Sequence, residues 1–270
     1  MKFSDFARLP DDAMRLATGA LLIAKDAYPS LDLSAELARV DALAAEAPAC
    51  AGPPSEALEA LAAYLYGALG FRGNEGDYYD LRNSFLNDVL DRRMGIPISL
   101  AVVFIEVANR AGLEARGVSF PGHFLVRVED AAAGRPLFVD PFRGTLMSRD
   151  ALEGLARAAL GPDASLEPEH LRPATPRQVF ARMLQNIKRI HVSRRETAQA
   201  LLAQSHVVEL VPDDALSLLE RGALAEHAGA FAMAANDFSL ARRLLPEGDG
   251  RLEALDAKLR ELRPRLKHSN

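Results

Sequence analysis

The stretch NSFLNDVLDRRMGIPISLAVVFIEVANRAG, Asn83 to Gly112, decides how this chain is read. FLNDVLDRRM has the pattern of a short helix, with Ser84 as a good N-cap and Gly95 as its end. Pro97 suits the first turn of the next helix, where its missing N–H would have no intrahelical partner in any case. ISLAVVFIEVANRAG is apolar on most sides, as a buried helix is. Glu106 and Asn109 are its polar exceptions and Gly112 its stop. Ser99 therefore stands at the start of a buried helix.

N-terminal to this stretch, residues 1–70 read as helices. DDAMRLATGALLIAKDAYP carries a helical apolar stripe that ends before Pro29. LDLSAELARVDALAAEA continues the pattern, and PPSEALEALAAYLYGALG adds a third helix with Gly70 as its stop. FRGNEGDYYD is a Gly- and Asp-rich loop that lacks the spacing and the Lys of a phosphate-binding loop.

C-terminal to it the texture changes. ARGVSFPGHFLVRVED and RPLFVDPF are short, alternating and rich in Val and Phe, and read as strands of an antiparallel hairpin linked through DAAAG. On the first, Phe124, Val126 and Val128 share one face, and His123, Leu125 and Arg127 the other. SRDALEGLARAALG returns to helix with Ser148 as cap. PDASLEPEHLRPATP, with its four prolines, reads as a linker or an ordered loop between domains. That gives residues 1–172 as one domain and 173–270 as a second.

The second domain is helical and shows a repeat. Pro212 and Pro246 are 34 residues apart, the tetratricopeptide period. Gly222, Gly229, Ala234, Phe238 and Ala241 fall at matching places. The earlier unit is degenerate, with Lys188 where Gly is usual. GRLEALDAKLRELRPRL would form a capping helix.

Bulk properties exclude several classes. Hydrophobic residues make up 49% and charged residues 26% of 270, with a net charge of -5, which favours neither nucleic acid nor an anionic membrane. The longest apolar runs are far short of a membrane span, and the N-terminus makes a poor secretory signal. The single Cys50, in a loop, rules out an internal disulfide and a cysteine-based zinc site. The histidines show no metal-ligand spacing, so no metal and no cofactor is expected. A cytoplasmic location follows from the same features.

Ser99, His123 and Asp140 are the residues that invite a chemical reading. A nucleophile at a helix N-terminus, a histidine to take its proton and a carboxylate to orient the ring make an acyl-transfer triad. Their separations, 24 and 17 residues, suit a helix followed by two neighbouring strands. The same residues also fit a plain structural reading, with Ser99 bracing the helix start, His123 in a turn after Pro121-Gly122, and Asp140 at a strand end before Pro141. Asn87 and Asp91 lie four apart and share a helix face just before the site, where they line a cleft or tie helix ends together. Arg92, with Arg93, Arg127 and Arg143, is a candidate for positive charge at the mouth, against the alternative of a solvated face.

RNSFLNDVLDRRMGIPISLAVVFIEVANRAGL, GVSFPGHFLVRV and FVDPFRG strongly resemble a bacterial transglutaminase-like family with C-terminal tetratricopeptide repeats, some members of which are labelled regulators of invasion genes. The resemblance covers nearly the whole chain. It implies an α+β fold, a papain-like, transglutaminase-like core of helices with a small antiparallel sheet, followed by an all-α tetratricopeptide-like region. It also implies a Cys, a His and an Asp in the active enzymes. His123 and Asp140 match the last two, and the Cys position falls at or next to Ser99. That departure matters, because a thiolate is a nucleophile in its own right whereas a serine needs a base and a well-made oxyanion hole. The expectation is a non-catalytic or weakly active protein that binds a protein or peptide through its repeats or its old cleft. The alternative is a serine-dependent amidase, peptidase or acyltransferase.

Overall fold

A computed structural model describes residues 1–49 and 52–266; Cys50 and His268 lie outside the described residues. The elements run α1 (Phe3–Phe6), α2 (Leu16–Ala24), α3 (Leu33–Ala45), α4 (Pro54–Ala62, continued by a π-helical turn Ala63–Ala68), β1 (Arg72–Gly73), α5 (Leu86–Arg92), β2 (Met94–Gly95) and α6 (Pro97–Arg110). Then come β3 (Ala115–Val118), β4 (Leu125–Val128), β5 (Leu137–Asp140), β6 (Thr145–Leu146) and α7 (Arg149–Leu160). The helices α8 (Pro176–Ser193), α9 (Thr197–Leu210), α10 (Ala215–His227), α11 (Phe231–Leu244) and α12 (Leu252–Leu266) complete the chain.

Two compact units form. The larger, Pro10–Met183, is built around α6, whose residues from Ile98 to Ala108 are all buried. This helix packs on α2, α3, α5 and on strands β3 and β4. Its polar exceptions are both spent on structure. The Glu106 carboxylate accepts from the Ala17 N–H at 2.7 Å, tying down the first turn of α2, and pairs with Arg110, which also binds Asp41 at 2.7 Å. Asn109 brackets Ala115, accepting from its N–H at 2.8 Å and donating to its carbonyl at 3.1 Å.

The sheet is an antiparallel meander in the order β3-β4-β5-β6. The expected pairing of the two alternating segments holds, with Val126 opposite Val139. The long first segment, however, is two strands and not one. Pro121 and Gly122, the latter at φ 68°, turn the chain between β3 and β4, so Val118 pairs with Leu125. His123 accordingly lies in the turn ahead of β4 and not on a strand. Val118, Leu125 and Phe138 share a face covered by Leu152 and Ala156 of α7, which Ser148 caps as expected.

Two helix ends differ from expectation. The N-cap of α5 is Phe85, and the Ser84 hydroxyl is buried with no hydrogen-bond partner among the described residues. The same helix ends at Arg93, left-handed at φ 53°, before Gly95 is reached. The Pro-rich segment before α8 is an ordered part of the first unit: Ala174 N–H donates to the Gly117 carbonyl at 2.7 Å, and Arg127 donates to the Leu171 carbonyl at 3.1 Å. The two compact units meet between Met183 and Leu184, within α8, and Met1–Leu9 belong to the second unit.

The second unit is a set of helical hairpins. Gly222 is required where α10 crosses α11, because a Cβ there would lie 2.5 Å from the Phe238 ring. Beside this crossing Arg221 grips the fully buried Asp237 with two hydrogen bonds of 2.7 and 2.6 Å. Lys188 reaches Gln204 at 2.8 Å and Glu220 at 2.6 Å. Phe3 of α1 packs against His206 of α9, ring centres 4.4 Å apart and planes tilted by 47°.

Candidate functional site

Ser99 is the third residue of α6 and is 0% exposed. Its Oγ donates to the Asn83 carbonyl oxygen at 2.5 Å and accepts from the Ile96 N–H at 3.1 Å. The Ile96 N–H also reaches the Asn83 carbonyl, at 3.3 Å. An N3 side chain returning to the N-cap N–H satisfies a donor that the helix start leaves open. Gly95 makes the fit possible, since a Cβ there would lie 2.6 Å from the Ser99 Oγ. The serine hydroxyl is enclosed and fully committed.

Asn83 is equally buried and acts as a hub. Its side-chain amide donates to the carbonyls of Asp77 (2.7 Å) and Tyr78 (3.2 Å). Its Oδ1 accepts from Asn74 (3.1 Å) and Arg92 (3.4 Å). Asn74 in turn accepts from the Asp77 N–H at 3.0 Å and donates its own N–H to the Gly95 carbonyl at 3.1 Å. The loop Asn74–Asp80 is thus held from within, and Tyr78 and Tyr79 project from it 43% and 61% exposed. Their rings meet edge to face, centres 5.4 Å apart, and Tyr78 lies 6.2 Å from Phe142.

His123 is half-buried, its backbone N–H donating to the Phe120 carbonyl at 3.1 Å. Asp140 closes β5, and its Oδ1 accepts from the Phe142 N–H at 2.8 Å, an Asx turn. Tyr66 donates to the Pro141 carbonyl at 2.5 Å, and burial, aided by the charge of Asp140, drives its phenol pKa well up. Among the described residues, no hydrogen bond joins any two of Ser99, His123 and Asp140. Alternation along β5 puts Asp140 with Phe138, on the face that α7 covers.

The three candidate binding residues divide. Asn87 is buried, and its Oδ1 has no hydrogen-bond partner among the described residues. Asp91 is exposed and pairs with Arg39 at 2.6 Å. Arg92 pairs with Asp80 at 3.2 Å. Burial opposes ionisation of Asp80, but the hydrogen bonds from Arg82 and the charge of Arg92 outweigh it and hold the carboxyl below its usual range. The residues that sequence reasoning passed over are Asn74, Asn83, Tyr78 and Tyr79. The adjacent tyrosines in a Gly- and Asp-rich loop were the available signal.

A separate cleft of about 910 Å³ opens at the other end of α6, between Arg15, Glu106, Arg110, Arg116 and the Pro173–Pro176 segment, and includes none of the three triad-position residues. Among the described residues, no group of three or more His, Cys, Asp or Glu side chains is placed to hold a metal, and no helix is long and apolar enough to cross a membrane.

Comparison with known proteins agrees with this architecture. The profile of the transglutaminase-like superfamily matches residues 33–185. A UPF0162 protein of Xylella fastidiosa is 37% identical over 254 residues, covering 90% of this chain and 89% of its own. The UPF0162 protein YchA of Escherichia coli is 30% identical over 82% of this chain and 81% of its own. Protein SirB1 of Salmonella typhimurium is 29% identical over 72% of each chain. No solved structure matches. With a core helix, an antiparallel sheet and a helical C-terminal region in place, the chain belongs to the transglutaminase-like superfamily, among the bacterial UPF0162 proteins.

Proposed function

We propose that this chain is a transglutaminase-like protein that has exchanged turnover for binding. The observation that carries the reading is the Ser99 hydroxyl, 0% exposed and donated to the Asn83 carbonyl. A nucleophile needs a base within hydrogen-bond reach and a path to substrate. Among the described residues Ser99 makes its hydrogen bonds to backbone groups only and is 0% exposed, which supports this reading, and those bonds brace the helix start and the Asn74–Asp80 loop. Asp140 is engaged in a turn, a structural use of an inherited position. The function is then protein or peptide binding, in the cytoplasm, through the exposed edge of the old cleft and through the tetratricopeptide-like helices α9–α12. The Gly222–Phe238 crossing supports the repeat reading of that region.

The test is turnover by the full chain. Glutamine-containing peptides, with and without an amine acceptor, and activated esters are incubated with wild type and with Ser99→Ala. Release of ammonia or alcohol is expected to match the background rate for both proteins. Turnover that disappears in Ser99→Ala would restore the serine-hydrolase alternative.

A further inference from the structure

We infer that the Asn74–Asp80 loop is a docking surface for an extended peptide segment carrying arginine or lysine. The inference rests on the binding reading above and assigns it a place and a partner chemistry.

Three observations converge. The first is the aromatic pair. Tyr78 and Tyr79 present faces and edges to solvent from adjacent positions, with Phe142 beside Tyr78. Tyrosines offer large contact area at low cost in side-chain entropy, which is why they are concentrated in recognition surfaces. The second is charge. Glu75 and Asp77 are exposed and form no ion pair among the described residues, and the segment from Asn74 to Asp80 contains no cation. Of the two arginines that flank it in sequence, Arg72 and Arg82, the second is already gripped by Asp80, its Nε 3.1 and 3.0 Å from the two carboxylate oxygens. Aromatic faces next to uncommitted carboxylates suit a guanidinium or ammonium group, which gains from both.

The third observation is preorganisation. Short polar loops ordinarily lose conformational freedom on binding, and that cost subtracts from affinity. Here it is met in advance. The carbonyls of Asp77 and Tyr78 are tied to the Asn83 side chain, and Asn74 closes the loop on Asp77. Asn83 is itself fixed by Ser99. Ser99 therefore acts as a positioning residue for the tyrosines.

Fluorescence anisotropy with the full chain tests this. The probes are two labelled octapeptides, one alternating Gly and Arg, the other alternating Gly and Glu. The Arg peptide is expected to bind saturably and the Glu peptide not at all. Tyr78→Ala/Tyr79→Ala, whose changes lie on the surface, is expected to weaken the Arg peptide about tenfold with the melting temperature unchanged, the loss of one or two cation–π contacts. Glu75→Gln/Asp77→Asn is expected to weaken it further at low salt than at high salt. Equal affinity in the tyrosine double variant, equal binding of the two peptides, or no saturable binding would each overturn the inference. Binding that survives the tyrosine changes would leave the binding reading standing and move the surface elsewhere. Ser99-dependent cleavage of the peptide would instead overturn the non-catalytic reading.

Discussion

The Ser99 hydroxyl lies 2.5 Å from the Asn83 carbonyl oxygen, and the Asn83 side chain holds the backbone of Asp77 and Tyr78. A serine at the start of the buried helix is thus the anchor of a surface loop. Removing the hydroxyl should cost stability and loop order together. Ser99→Ala leaves the Ile96 N–H and the Asn83 carbonyl with poorer partners in a buried site, and is expected to destabilise the first unit by about 1–3 kcal/mol. Urea unfolding measures the loss, and faster amide exchange at Asp77–Asp80 than in wild type would show its route.

Gly73 faces a similar constraint. A Cβ on it would lie 2.3 Å from the Phe142 ring, and its N–H donates to the Phe142 carbonyl at 3.0 Å. Gly73→Ala is expected to displace that ring and destabilise by about 1–3 kcal/mol. Gly76→Ala, whose nearest neighbour is the Asn74 Oδ1 at 3.8 Å, should stay within about 0.5 kcal/mol of wild type in the same unfolding assay.

In the helical unit the decisive charge is Asp237, 0% exposed and held by Arg221. Asp237→Ala leaves a guanidinium that is only 17% exposed without its partner. The expected cost is about 3–5 kcal/mol, whereas replacing both residues by apolar ones of similar size should cost far less. A double-mutant cycle on unfolding free energies checks the difference.

Tyr28 gives a pH signature. Its hydroxyl donates to Asp88 at 2.7 Å, and burial together with that bond and the carboxylate charge pushes its pKa from 10.0 to about 12. The folded state thus holds the proton more tightly than the unfolded chain. The stabilisation is complete below pH 10 and is lost as pH rises from about 10 to about 12. Tyr64 and Tyr66 shift in the same direction, so the comparison is with Tyr28→Phe, whose stability should fall less over this window than that of wild type.

Much of this was legible in the sequence, and the limits have physical causes. Helix α6 was plain because its signals are local: Pro97 at the start, Gly112 at the stop and apolar residues on most sides. The strands β4 and β5 followed from period-two alternation, and their antiparallel pairing from the short DAAAG link between them. What stayed hidden was long-range. Nothing near Ser99 announces that its partner is the carbonyl of Asn83, sixteen residues upstream. Pro121-Gly122 was visible as a turn pair, yet the alternation on either side masked the break between β3 and β4. Ser84 has the right side chain for an N-cap, but the chain enters α5 one residue later, at Phe85. The assignment of Met1–Leu9 to the C-terminal unit rests on contacts such as Phe3 with His206, which no local pattern encodes.

The central claim is that Ser99 is a brace and not a nucleophile, and covalent labelling tests it most directly. The full chain is treated with a fluorophosphonate at neutral pH and the adducts are mapped by peptide mass spectrometry. Ser99 is expected to stay unmodified in the folded protein. A stoichiometric phosphonyl adduct on Ser99, abolished by His123→Ala, would contradict it and reinstate an active triad.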